Sequence, residues 1–148
     1  MRQILLLNGP NLNLLGQRDQ SVYGAKTLQD IEQEVIRFLK RYDLEVETFQ
    51  SNHEGELVDA LQKASKSSSG VIFNPAGYTH TSVAIRDAVD AIDIPVIEVH
   101  LSNIHNRESF RSNSYIAPVA DGQITGLGSN GYLAAALAMV KILEKGES

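Results

Sequence analysis

The chain has 148 residues, of which 43% are apolar and 21% charged, a composition typical of one folded domain and not of a disordered chain. Thirteen Lys and Arg against eighteen Asp and Glu give a net charge of −5, which disfavours nucleic acid and anionic membranes as partners. The absence of cysteine excludes disulfides, thiol nucleophiles and thiolate-bound metals. No apolar run approaches the ~20 residues that span a bilayer, and we find no export signal, so we expect a cytoplasmic protein with a single domain over residues 1–148.

Short apolar runs alternate with longer segments of helical period along the chain. The predicted strands are Ile4–Leu7, Leu44–Phe49, Val71–Phe73, Val96–Leu101 and Tyr115–Val119. The predicted helices are Thr27–Tyr42, Glu54–Lys66, Ser82–Ile92 and Tyr132–Lys145. Strands with interposed helices predict an α/β fold with a five-stranded parallel sheet.

Local patterns refine three of these elements. Leu44–Phe49 alternates polar and apolar residues, which favours a strand at the edge of the sheet. Thr27 and Asp30 form a capping-box pattern at the start of the first helix. The buried stripes are predicted to be Leu28, Ile31, Val35 and Leu39 in the first helix, and Leu133, Ala136, Leu137 and Val140 in the last.

Unusually polar segments follow the predicted strands, where ligands of parallel sheets bind. The first, from Asn8 to Gly24, has little regular period and contains Arg18 and Tyr23. A guanidinium beside a phenol favours the phenolate, the form of tyrosine that acts as a base. The alternative to a functional pair is that Arg18 simply lies in a solvated loop.

Alternation in the fourth strand places Glu98, His100 and Ser102 on one face. A carboxylate in a buried strand needs hydrogen-bond partners, and an imidazole supported by an acid is a general acid–base arrangement. A purely structural histidine–glutamate pair is the alternative.

Two further segments carry candidate binding residues. Asn74, Gly77 and His80 follow the third strand, where small residues permit close approach of a ligand, although Thr81 or Ser82 there is equally explained as a helix N-cap. Arg107 and Arg111 lie four residues apart and either clamp an acidic ligand or solvate the surface.

Two other chemistries are disfavoured. GLGSNG at 126–131 matches a dinucleotide motif, but no strand and acidic residue follow at the required spacing, so we assign it to a turn and close helix packing. The histidines lack metal-ligand spacing, and the six lysines lie in or beside helices or a polar loop, which disfavours a metal site and a Schiff base.

The segments LNGPNLNLLGQR, VYG, NPAGYTHTS, EVHLSNIHNRESFR and GLGSNGY, in this order and spacing, closely resemble the type II 3-dehydroquinate dehydratases. The resemblance covers nearly the whole chain. It implies a flavodoxin-like three-layer sandwich and the conversion of 3-dehydroquinate to 3-dehydroshikimate and water, a step of the shikimate and quinate pathways. It also implies a homododecamer of four trimers, a lid loop at about residues 16–24, and no metal or organic cofactor.

The resemblance further implies a role for each matching residue. Tyr23 is the base that removes a proton at C2, and Arg18 lowers its pKa from the lid. His100 is the acid that protonates the departing C1 hydroxyl, Glu98 orients it, and Asn11 holds a water against the enolate.

A second group of residues is implied in substrate binding. It comprises Asn74, His80, Leu101, Ser102 and Arg111, with Asp87 supplied by a neighbouring subunit and Gly77 and Arg107 as further candidates. Asp19-Gln20 departs from the Glu-Pro that commonly follows the lid arginine in the family, which puts the rate of lid closure in doubt. A flavodoxin-like binding module for a nucleotide or flavin is the main alternative on fold analogy, and a Schiff-base dehydratase is a third.

Overall fold

Five parallel strands form the centre of the molecule in a computed structural model that describes residues 2–17 and 25–147. They are β1 (Arg2–Asn8), β2 (Leu44–Gln50), β3 (Gly70–Asn74), β4 (Val96–His100) and β5 (Gly122–Thr125). Their order, β2-β1-β3-β4-β5, is that of flavodoxin-like proteins and confirms the predicted fold class. It also places β2 at an edge, as its alternating pattern predicted.

Four α-helices of the described chain cover both faces of the sheet. They are α1 (Leu28–Lys40), α2 (Glu54–Ser67), α3 (Val83–Ala91) and α4 (Asn130–Glu147). Buried residues of α1 and α4 form one apolar cluster against the sheet, and those of α2 and α3 form a second cluster against the opposite face. The result is the predicted three-layer sandwich.

Side-chain caps define the starts of two helices. In α1, Thr27 Oγ1 accepts a hydrogen bond of 3.1 Å from the Asp30 N–H, and Asp30 Oδ2 accepts one of 3.0 Å from the Thr27 N–H. This confirms the capping box. In α3, Ser82 Oγ accepts from the Ile85 N–H at 2.9 Å, so Ser82 is an N-cap.

The predicted fifth strand, Tyr115–Val119, is wrong. Its second half, Ala117–Val119, is a 3₁₀ helix, because Pro118 has no N–H to donate to a ladder. The fifth strand is instead β5, which pairs with β4 from Gly122 onward. Its four residues are all half-buried, so the segment lacks the apolar run that identified the other strands.

The predicted stripe of the last helix is partly wrong. Val140 and Ala136 are buried, but Leu137 is 44% exposed and Leu133 is only half-buried. The buried side is one residue out of phase and centres on Tyr132, Ala135, Ala136, Met139 and Val140. Within the described part of the chain, no helix is long and apolar enough to cross a membrane.

Candidate active site

A cavity of about 160 Å³ opens at the carboxyl ends of β1, β3 and β4. The strand order reverses between β1 and β3, and ligands of open parallel sheets bind at such a reversal. The cavity brings together nine of the residues predicted from the sequence: Asn11, Asn74, Gly77, His80, His100, Leu101, Ser102, Arg107 and Arg111.

A second groove of about 280 Å³ lies between the edge strand β2 and α2. Its charged lining consists of the carboxylates Glu47, Glu56 and Asp59 with the single cation Lys63. This negative balance suits an anionic ligand poorly. The smaller cavity, which holds two histidines and two arginines, is therefore the candidate active site.

The centre of the site is a buried pair formed by Glu98 and His100. Both side chains project from the same face of β4, as the alternation predicted, and Nε2 of His100 lies 2.5 Å from Oε2 of Glu98. Glu98 is fully buried and His100 is 5% exposed. Because Nε2 donates to the carboxylate, Nδ1 is the ring nitrogen left for a ligand in the cavity. Ser102 lies beyond the end of β4, in a bend.

Three polar side chains that the sequence did not single out hold Glu98. Thr79 Oγ1 donates to Oε2 at 2.5 Å, Ser114 Oγ donates to the same oxygen at 2.9 Å, and Gln123 Nε2 donates to Oε1 at 3.1 Å. Ser114 Oγ itself accepts from two backbone N–H groups, those of residues 116 and 117, at 3.1 and 3.0 Å. The single hydroxyl proton of Ser114 is then available to donate, and its shortest acceptor contact is Glu98 Oε2.

These bonds keep Glu98 ionised despite its burial. Burial alone raises the pKa of the carboxyl, but the hydrogen bonds from its neighbours, that from His100 foremost, outweigh burial and hold the pKa below its usual range. Glu98 is thus a fixed negative charge against the ring of His100. A histidine oriented by an ionised carboxylate is able to transfer a proton to or from a ligand in the cavity.

His80 lines the same cavity as His100. Burial lowers its pKa by more than its hydrogen bond to a backbone carbonyl raises it, so the ring is neutral at pH 7. Nδ1 donates to the carbonyl oxygen of Asn113 at 2.9 Å. Nε2 is then an unprotonated acceptor, which fits a ligand hydroxyl better than a ligand carboxylate.

Asn11 reaches the cavity through an unusual backbone conformation. Its φ of 70° is left-handed, a region that asparagine tolerates better than most residues. Asn52, which follows β2, accepts from the Asn11 N–H at 3.0 Å, and its carbonyl accepts from the Tyr78 hydroxyl at 2.8 Å. Asn52 therefore ties the segment after β1 to the segment after β3, a link between strand ends that the sequence pattern did not show.

Both candidate arginines lie at the cavity wall, each against other side chains. Arg107 donates to Ser102 Oγ at 3.4 Å. Arg111 pairs with Glu108 and lies 5.0 Å from the centre of the Phe110 ring. Two guanidinium groups beside the cavity favour an anionic ligand, because arginine stays protonated at working pH.

The GLGSNG segment forms the turn that the sequence predicted and hydrogen-bonds to the backbone of two cavity residues. The N–H of Gly126 donates to the carbonyl of Ser102 at 3.1 Å, and that of Gly128 donates to the carbonyl of Leu101 at 2.9 Å. Both glycines have positive φ, and a Cβ on Gly126 would lie 3.2 Å from the Asn103 side chain. These glycines hold the two cavity residues that follow β4.

One described site residue, Asp87, is not brought together with the others. Asp87 is exposed on α3 and does not line the cavity of its own chain. Arg18 and Tyr23 lie outside the described residues, as does most of the predicted lid at about 16–24.

The fold and the cavity together define a flavodoxin-like α/β protein with a carboxylate-supported histidine at the switch point of its sheet. The family model described as "Dehydroquinase class II" matches residues 2–140. The chain belongs to this family, as its motifs indicated.

Individual relatives agree over nearly the full length. The chain is 53% identical over 146 residues to the 3-dehydroquinate dehydratase of Halothermothrix orenii, covering 99% of both chains. It is 58% identical over 132 residues to that of Bacillus licheniformis, covering 89% of this chain and 91% of the relative. Among solved structures, the type II dehydroquinase of Butyrivibrio crossotus superposes with a TM-score of 0.90 at 43% identity, covering 95% of this chain and 97% of that one.

Proposed function

We propose that the chain removes water from 3-dehydroquinate to give 3-dehydroshikimate. The observation that carries the proposal is the ionised Glu98 against His100 in a cavity with two arginines, in a chain of the class II dehydroquinase family. The substrate is a small hydroxylated carboxylate. Arginines suit its charge, and a neutral His80 suits a ring hydroxyl.

In the proposed mechanism, the substrate loses a proton and a hydroxyl group on opposite sides. The Tyr23 phenolate, favoured by Arg18, takes the C2 proton, and the electrons of the C–H bond pass into an enolate. Asn11 holds a water that stabilises the enolate oxygen. His100 then donates the proton on Nδ1 to the C1 hydroxyl, the C–O bond breaks, and the enolate electrons form the C=C bond as water leaves.

Binding residues in the proposal surround the reacting atoms. Asn74, Leu101 and Ser102 contact the carboxylate or ring hydroxyls, and Arg111 contacts the hydroxyls on the far side. Gly77 and Arg107 line the same cavity and are further candidate contacts. In the homododecamer of four trimers that the resemblance implies, Asp87 extends from one subunit toward the cavity of the next, consistent with its exposure on α3.

No lysine lines the cavity among the described residues, which supports direct elimination over a Schiff base. Borohydride in the presence of substrate tests this choice. Covalent trapping on a lysine would contradict the proposed mechanism.

The reaction is tested by adding 3-dehydroquinate to the purified chain and following the ultraviolet absorbance of the conjugated enone. We expect the absorbance to rise, and folded protein that produces no signal refutes the proposal. Tyr23→Phe and His100→Ala should each lower kcat by about 10²–10⁴-fold, the usual contribution of a general acid or base. Near-normal kcat in either variant, with unchanged circular dichroism, rejects the role of that residue.

A further inference from the structure

Two buried asparagines lie side by side at the carboxyl ends of β1 and β3. Asn8 and Asn74 are register partners in the parallel ladder, so their side chains project from the same face of the sheet. Asn8 is 0% exposed and Asn74 is 2% exposed. The hydroxyl of Tyr132, a fully buried residue near the start of α4, lies between them, 2.7 Å from Asn8 Oδ1 and 2.9 Å from Asn74 Nδ2.

The directions of these hydrogen bonds follow from one backbone donor. The N–H of Ala76 donates to Asn74 Oδ1 at 3.0 Å, so the Nδ2 side of that amide faces Tyr132. Nδ2 is only a donor, so the Tyr132 oxygen accepts from it and must direct its own proton to Asn8 Oδ1. Burial raises the pKa of Tyr132 well above its ordinary value, so the hydroxyl keeps this proton at any working pH.

This arrangement determines what Asn74 presents to the cavity that it lines. One hydrogen on Nδ2 is used by Tyr132 and Oδ1 is used by Ala76, so the remaining Nδ2 hydrogen is the group of this amide left for a ligand. An amide held at both ends cannot turn its oxygen toward a ligand carboxylate, which it would repel. Asn74 is thereby a fixed donor.

We propose that Tyr132 is a positioning residue for substrate binding, whose hydroxyl acts with the Ala76 N–H to hold the Asn74 amide so that Nδ2 donates to an oxygen of the substrate. The inference rests on the proposed reaction. It assigns Tyr132 no part in proton transfer. The competing interpretation is that Tyr132 only packs α4 against the sheet, where its ring belongs to the same apolar cluster as Ile4 and Ile72.

Tyr132→Phe separates the two interpretations, because it removes one oxygen and keeps the ring. The Asn74 amide then keeps its bond from Ala76 at Oδ1 but loses the acceptor that holds Nδ2, so the direction of its remaining hydrogen is less well defined. A contact made equally in the ground state and the transition state affects KM and not kcat. We expect KM for 3-dehydroquinate to rise about 10-fold, the effect of one hydrogen bond, with kcat within about threefold of wild type.

Ile31→Val is the matched control. Ile31 is 2% exposed in the same apolar cluster but lies on α1, away from the cavity. This variant should lower thermal stability without changing KM. A KM that rises equally in both variants shows that lost stability is the cause and overturns the proposal.

A double-mutant cycle identifies the residue through which Tyr132 acts. Asn74→Ala should raise KM, and Tyr132→Phe added to it should cause little further rise. If the double variant instead raises KM by the product of the two single fold-changes, the two residues act independently and the proposal is wrong. If the wild type is active and Tyr132→Phe leaves KM unchanged, the proposed role of Tyr132 is wrong and the proposed reaction is unaffected. If the wild type forms no enone, both the reaction and the role of Tyr132 are wrong.

Asn8→Ala provides a second variant in case Tyr132→Phe does not fold. Asn8 Nδ2 has no hydrogen-bond partner among the described residues, so truncation also removes an unpaired buried donor. The Tyr132 proton loses its acceptor, the hydroxyl can rotate, and it no longer reliably accepts from Asn74. KM should rise in this variant as well, and an unchanged KM contradicts the proposed role of the hydrogen bonds from Asn8 through Tyr132 to Asn74.

Discussion

Replacing Glu98 by glutamine tests the centre of the site, because it keeps the size of the side chain and removes its charge. In the structure, both carboxylate oxygens accept: Oε2 from Thr79, Ser114 and His100, and Oε1 from Gln123. An amide has one acceptor oxygen and one NH₂ group, so in either orientation at least one of these donors loses its carboxylate acceptor. A buried donor without a partner costs about 1–3 kcal/mol.

The loss of stability should depend on pH in a definite direction. The pKa of Glu98 is lowered in the folded state, so its ionised form stabilises the fold fully above the unfolded value of 4.5 and loses this contribution as pH falls through the folded pKa. Glutamine does not titrate. The difference in unfolding free energy between wild type and variant is therefore largest at neutral pH and shrinks below about pH 4.5.

Two assays measure these effects. Urea unfolding at pH 7 and at successive values below 4.5, at one protein concentration, gives the stability difference. The enone assay gives kcat, which should fall by about 10²–10⁴-fold because His100 loses the charge that orients and supports it. Glu47→Gln is the matched control, since Glu47 on β2 is 41% exposed and accepts from Gln3 outside the cavity.

Either of two results refutes this reasoning. A stability difference that does not change with pH shows that Glu98 gains nothing from ionisation in the folded state. A variant that turns over like wild type shows that the pair is structural, the alternative that the sequence left open.

Two further predictions test the frame of the site and its assembly. Gly9→Ala places a Cβ 2.6 Å from the carbonyl oxygen of Pro75. We therefore expect the free energy of unfolding in urea to fall by about 1–3 kcal/mol and KM to rise. Gly55→Ala is the control: its Cβ meets nothing within 4 Å, so this variant should not destabilise the chain. Equal stability of the two variants contradicts the close approach of the two segments. If the proposed assembly forms, light scattering should give the mass of twelve chains and Asp87→Ala should raise KM, whereas an active monomer with wild-type KM in Asp87→Ala would reject a role across subunits.

The sequence predicted most of the fold because burial imposes regular patterns. Strands covered on both faces appear as apolar runs. Thr27 and Ser82 indicate where two helices begin, because their hydroxyl groups cap the first turn. It failed where the local pattern is weak. β5 is short and half-buried, while Tyr115–Val119 is apolar for reasons of packing and contains a proline.

The candidate site was predicted unevenly for a similar reason. Alternation within one strand suffices to pair Glu98 with His100, and parallel topology suffices to collect the segments after β1, β3 and β4. Ser114 and Thr79 are separated from Glu98 by 16 and 19 positions, and their contacts depend on where the tertiary fold places the segments that follow β3 and β4. No local period reports such contacts.

The two polar networks of the site lie on opposite faces of the sheet. Apolar neighbours in β1 and β3 place Asn8 and Asn74 on the side of α1 and α4, and neighbours in β4 place Glu98 and His100 on the side of α2 and α3. A buried hydroxyl group donates within each network: that of Tyr132 to Asn8 on one side, and that of Ser114 to Glu98 on the other.

This division separates two tasks that would otherwise interfere. The proposed acid needs a fixed negative charge beside it, and the proposed binding amide must present a donor to a negative ligand. Because Glu98 lies on one face and Asn74 on the other, the sheet separates the carboxylate from the amide. His100 and Asn74 nevertheless both line the cavity at the carboxyl ends of the strands. If this reasoning is right, Tyr132→Phe alters KM and Glu98→Gln alters kcat, and the two substitutions act independently when combined.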